Sequence, residues 1–170
     1  LRLAQPAAAR GDQRIDLVDE DHRRRHLPRA RTEAFEIDPR VLAMRRDFLI
    51  PNDDRLQLVQ ADAAQLMPQR RGAYEVLLLD GYDTTGIPAA LSTQAFIDDC
   101  RDALAPDGVL ATNLFTVGHV EHFARLQQAF GSRVLLLDEP RQSNRVAFAW
   151  REAVDPARVD VQAALEAVSP

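Results

Sequence analysis

The chain has 170 residues, 46% of them apolar and 28% charged, with a formal net charge of -5. This excludes collagen-like, mucin-like and strongly disordered classes and suits one globular domain with a sizeable core. The acidic balance leaves no footprint for nucleic acid, the single cysteine, Cys100, excludes a disulfide framework and fits a reducing, cytoplasmic setting, and no apolar run approaches the ~20 residues that span a membrane.

Residues 1–31 carry eight arginines against five acids and the rest carries 13 against 21, so the balance swings from +3 to -8. Residues 1–30 read as a poorly defined segment holding at most a remnant first strand. Acids interleave with Arg23-Arg24-Arg25, and no aromatic residue is present for base stacking. Glu33–Ile37 then reads as a strand, and Asp38 with Pro39 as the N-cap and first residue of a helix. Val41, Leu42, Met44, Phe48 and Leu49 carry that helix to Ile50-Pro51. Leu56–Gln60 is the next strand, followed by a helical turn from Asp62 to Met67.

Glu75–Leu79 is a near-continuous apolar run, the pattern of a parallel strand covered on both faces. Phe96, Ile97, Cys100, Ala103 and Leu104 form a helical stripe closed by Pro106-Asp107-Gly108; Cys100 sits on it as core. Val109–Phe115 is a strand, and Val120, Phe123, Leu126 and Phe130 mark a helix ending at Gly131. Val134–Leu137 and Val146–Trp150 are the last strands, joined by a short polar loop. With no helix between them, the final strand is expected to run antiparallel. The order is that of an α/β, Rossmann-like, doubly wound, mostly parallel sheet with an antiparallel C-terminal strand, as in class I S-adenosylmethionine methyltransferases. Residues 31–150 form the domain and 151–170 a tail with a short helix at Val161–Val168.

Open sheets of this kind bind ligands beyond the carboxyl ends of their strands. Acids recur there: Glu36 and Asp38, then Asp62-Ala63, then Asp80 and Asp83 around Gly81-Tyr82, with Asn113 after the fourth strand. An acid at a strand end can accept both ribose hydroxyls. An acid beside a small residue can take an adenine amino group while admitting the flat ring. Two carboxylates three residues apart can hold or deprotonate an amine. Each also has a plain structural explanation: Asp38 as a cap, Asp62 as the cap of the turn that follows it, Asp80 and Asp83 as Asx turns. Recurrence at successive strand ends favours ligand binding for Glu36, Asp62 and Asp80.

Glu36-Ile37-Asp38-Pro39, Asp62-Ala63 and Asp80-Gly81-Tyr82-Asp83 followed by Gly86, Pro88, Leu91 and Phe96 resemble the spermidine synthase (polyamine aminopropyltransferase) family. Leu104–Leu110 and Asn113-Leu114 are similar to that family's segment after its substrate loop. The resemblance covers roughly residues 26–150. It implies S-adenosylmethionine, or its decarboxylated form, as co-substrate, no metal, and a small amine or polyamine as acceptor. Glu36, with Ile37, would hold the ribose, and Asp62, with Ala63, the adenine. Asp80 would act on the attacking amine while lying against the nucleotide, Asp83 would position the polyamine, and Tyr82 would stack on substrate or cover the loop. The family's organisation is compatible with a homodimer.

The sequence departs from the family at its nucleotide loop. The equivalent stretch, Arg14–Asp21, contains no glycine. A diverged loop, a start downstream of the family's own, or a different reading frame over residues 1–30 each account for it. Two other functions therefore stand beside aminopropyl transfer: methylation of a small molecule, and binding of a nucleotide or partner without catalysis. All 21 basic residues are arginine. Schiff-base and P-loop lysine chemistry is thereby excluded, leaving the carboxylates as working groups. His22 with His26, and His119 with His122, have helical spacing but no third ligand, and are expected at the surface. Trp150 is expected in core or interface, and Arg70-Arg71 in a solvated turn.

Overall fold

The computed structural model describes residues 2–6, 31–51, 54–114, 118–139 and 144–152. Its strands are β1 (Arg2–Pro6), β2 (Thr32–Glu36), β3 (Leu56–Gln60), β4 (Tyr74–Leu79), β5 (Leu104–Asn113), β6 (Val134–Glu139) and β7 (Asn144–Trp150). Its α-helices are α1 (Pro39–Ala43), α2 (Ala63–Leu66), α3 (Gln94–Ala103) and α4 (His119–Phe130). The strands form one sheet in the order β3-β2-β1-β4-β5-β7-β6.

Pairing is parallel for β2 with β3 and for β4 with β5, and antiparallel for β7 with both β5 and β6. Strands β2 to β6 therefore share one direction, and β7 runs against them as the helix-free connection requires. The centre holds a strand the periodicity does not reveal. Arg2–Pro6 lies antiparallel between β2 and β4, with Ala4 opposite both Glu33 and Leu77. The stretch Arg14–Asp21 lies outside the described residues, as do the helix expected at Val161–Val168 and the pair His22 and His26.

The core forms on one side of the sheet. Leu77 and Leu79 of β4 and Leu110 of β5 join Phe96, Ile97 and Cys100 of α3 and Leu126 and Phe130 of α4 in a single buried cluster. Burial of such side chains contributes roughly 1.5–3 kcal/mol each. Leu78, on the opposite face of β4, is 37% exposed. Described helices thus cover one face of this strand, where the apolar run suggests two. The helix after Asp38 is also shorter than its apolar spacing suggests. It ends at Ala43, turns follow, and Phe48 and Leu49 point to solvent, Leu49 with a φ of 52°. Gly108 sits where β5 crosses Tyr74: a Cβ there would meet the backbone oxygens of Tyr74 and Ala105 at 2.8 and 2.9 Å. Trp150 is half-buried on β7, pairing with Val109.

Candidate active site at the carboxyl ends of the strands

Parallel β2, β3 and β4 end at the same edge of the sheet, so the residues just beyond them meet. Glu36 and Ile37, Asp62 and Ala63, and Asp80 to Asp83 line one cavity of about 430 Å³, closed on one side by Pro88, Ala90 and Leu91. The volume is within the range of small-molecule sites. Every residue expected to bind nucleotide or amine is in this cavity: Glu36, Ile37, Asp62, Ala63, Asp80, Tyr82 and Asp83. Phe35, Ala61 and Gly81 complete it; their signal is position alone, since each adjoins a strand-end acid.

Local hydrogen bonding explains how each acid is held. The backbone N–H of Asp38 donates to Glu36 Oε1 at 2.9 Å, which fixes the Glu36 side chain over the end of β2. Asp38 is a cap: its Oδ1 accepts from Arg40 N at 2.8 Å, and the Arg40 side chain, bonded to the same carboxylate, holds its pKa down at about 2. Asp62 caps α2, accepting from Ala64 N at 2.9 Å through Oδ1. Gln65 Nε2 reaches Oδ2 at the weaker distance of 3.4 Å.

Asp83 forms an Asx turn, the plain structural alternative for this residue. Its Oδ1 accepts from Thr85 Oγ1 at 2.6 Å, Thr85 N at 2.7 Å and Gly86 N at 3.1 Å. These bonds, chiefly the Thr85 hydroxyl and then its N–H, lower the Asp83 pKa. All three fall on one oxygen, so the turn and a ligand contact through Oδ2 are compatible. Gly86 closes the turn at φ 131°, a value that strains any side-chain-bearing residue. Asp80 Oδ1 accepts from Asn113 Nδ2 at 3.2 Å, and the Tyr82 hydroxyl donates to the Asn113 carbonyl at 2.6 Å. Asn113 thus ties the loop after β4 to the end of β5.

Among the described residues the lining holds four carboxylates and no arginine. Such a concave, single-sign site attracts cations, and a sulfonium or an ammonium answers that charge. Among the described residues no group of three or more His, Cys, Asp or Glu is placed to hold a metal. His122 is a correction to the expected surface pair: it is 2% exposed, on the inner face of α4.

Residues 25–128 match the family model described as spermine/spermidine synthase domain. The chain belongs to the spermine/spermidine synthase family. The family's polyamine aminopropyltransferase from Chromobacterium violaceum is 34% identical over 132 residues, covering 75% of this chain and 51% of the relative. That from Neisseria meningitidis serogroup A is 31% identical over 139 residues, with 79% and 53% covered. The chain thus spans about half the length of the curated relatives it matches. Among solved structures, human methyltransferase-like protein 13 in complex with SAH superposes with a TM-score of 0.64 at 23% identity, covering 79% of this chain and 66% of that one. A spermidine synthase in complex with the transition state analogue AdoDATO gives 0.60 at 22%, covering 81% and 49%. These likenesses establish the spermidine synthase and methyltransferase fold for this family member.

Proposed function

We propose that this chain is an aminopropyltransferase-type enzyme acting on a small amine or polyamine, with decarboxylated S-adenosylmethionine as co-substrate. One observation carries the reading: the acids expected to bind nucleotide and the acids expected to bind amine converge in one cavity, whose lining among the described residues has no positive charge. The relatives' names, and the AdoDATO and SAH bound to the two solved neighbours, support the same ligand class. In this reading Glu36 accepts from the ribose hydroxyls and Asp62, beside small Ala63, from the adenine. The amine nitrogen attacks the aminopropyl carbon next to the sulfonium. The carbon–sulfur bond breaks, its electron pair stays on sulfur as a neutral thioether, and the amine proton passes to Asp80. Asp83 Oδ2 and Tyr82 align the acceptor. The enzyme's contribution is alignment and proton removal.

A second reading, ligand binding without turnover, is favoured by β1. That strand runs antiparallel to β2 and β4 and ends at Pro6, opposite Tyr74, at the sheet edge away from the cavity. Its described residues therefore add no backbone to the nucleotide half of the cavity.

Calorimetry with S-adenosylmethionine, its decarboxylated form and methylthioadenosine tests both, followed by product analysis with a diamine. Binding of the decarboxylated form with aminopropyl product is expected. A methylated product from S-adenosylmethionine replaces the reading with methyl transfer, binding without product supports the non-catalytic reading, and no binding by any of the three overturns them all.

A further inference from the structure

A second, much smaller cavity adjoins the carboxylate site, sharing Gly81 and Leu91 with it. Its volume is about 10 Å³, the room of a single water. Three polar residues line it: Thr112 and Asn113 at the end of β5, and His122 from α4. His122 is 2% exposed, yet among the described residues neither of its ring nitrogens has a hydrogen-bond partner. The buried Oδ1 of Asn113 also lacks one among those residues. A neutral imidazole offers one N–H donor and one acceptor, and a carboxamide oxygen requires a donor. Two buried groups with complementary needs face one water-sized space.

We propose that this cavity is a one-water site shared by His122 and Asn113, and that His122 thereby acts as a positioning residue for Asp80. The role rests on the transferase reading, in which Asp80 receives the amine proton. The Asn113 carboxamide has two orientations related by a flip. In one, Nδ2 donates to Asp80 Oδ1, as observed at 3.2 Å. In the other, Oδ1 faces the carboxylate and repels it. A donor on the cavity side selects the first, because it needs Oδ1 pointing inward. His122 supplies that donor through the water. Burial, and then the Arg125 charge, push the His122 pKa down to about 4, so its ring stays neutral near pH 7 and retains both a donor and an acceptor. Thr112, 3% exposed on the same wall, offers the water a further partner.

The full chain with ¹⁵N-labelled histidine tests the link by NMR, the resonance being assigned by its loss in His122→Phe. A neutral His122 ring with one N–H protected from solvent exchange is expected, and Asn113→Ala should expose that proton. Kinetics test the role. His122→Phe should lower kcat about tenfold, the worth of one net hydrogen bond, with the nucleotide KM unchanged. His122→Gln, which keeps a donor, should restore most of it. An unchanged N–H in Asn113→Ala, a ring charged at neutral pH, or equal losses in the Phe and Gln variants overturns the proposal. Absence of turnover in the parent chain overturns the transferase reading alone, and the NMR comparison still decides whether His122 and Asn113 are coupled.

Discussion

Asp62 has two roles that a pair of substitutions can separate. Its Oδ1 caps α2 by accepting from Ala64 N at 2.9 Å, and its carboxylate lines the cavity where the proposed function puts the nucleotide. Asp62→Ala removes both. Loss of an N-cap costs about 1 kcal/mol, and for a domain of this size that lowers Tm by roughly 2–4 °C. Asp62→Ser keeps a capping oxygen of similar strength but removes the charge, so its Tm should stay within about 1 °C of the parent. Ligand binding should separate from this pattern. A hydrogen bond to a charged group contributes roughly 1.5–3 kcal/mol, so both variants should bind methylthioadenosine about 10- to 150-fold more weakly. Differential scanning calorimetry and titration calorimetry on the same samples give the two readouts. A serine variant that binds as tightly as the parent would show that Asp62 is a helix cap and nothing more.

Asp80→Asn should leave nucleotide binding within about twofold and reduce turnover by 10²-fold or more, the usual worth of a positioned base; parallel losses in binding and rate would contradict its assignment to the amine. Gly108→Ala drives a Cβ against two backbone oxygens that cannot rotate away, so urea denaturation should show a loss of about 1–3 kcal/mol, and an unchanged midpoint would sink that reasoning. His122 titrates near 6.5 when unfolded and near 4 in the fold. Its contribution is therefore complete above pH 6.5 and is lost as pH falls from 6.5 towards 4, by about 3 kcal/mol over the window. Chemical denaturation across that range should show His122→Leu with a correspondingly flatter profile, and parallel profiles would refute the burial argument. Tyr74→Phe, which removes the 2.9 Å bond from its hydroxyl to Glu33 Oε2, should cost about 1 kcal/mol by the same assay.

Much of this was legible because periodicity and position reinforce each other. Glu75–Leu79 and Leu56–Gln60 read as strands, and acids recurring at or within two residues of strand ends have few structural reasons to be there together. The misses are equally physical. Arg-Leu-Ala-Gln-Pro in β1 has neither alternation nor β-branched residues, so only its neighbours' need for a partner defines it. The apolar spacing after Asp38 continues to Leu49 although the α-helix stops at Ala43, because spacing reports which residues are apolar and not whether a surface exists to receive them. His122 is invisible to a pattern of apolar residues alone. Stepping back from Phe130 through Leu126 by fours lands on it, and the stripe is complete only when a polar residue is allowed a place.

Strand β1 has a consequence for distance. Among the described strands, the two halves of the sheet, β3-β2 on one side and β4-β5-β7-β6 on the other, join through its five residues. Glu36 follows from β2 and Asp80 from β4, and two inter-strand steps of about 4.8 Å separate those strands. The strand therefore acts as a ruler: the separation between the Glu36 and Asp80 ends of the cavity, about 10 Å across the sheet, is set by the width of one strand, and in the proposed reaction that width would span from sugar to attacking nitrogen.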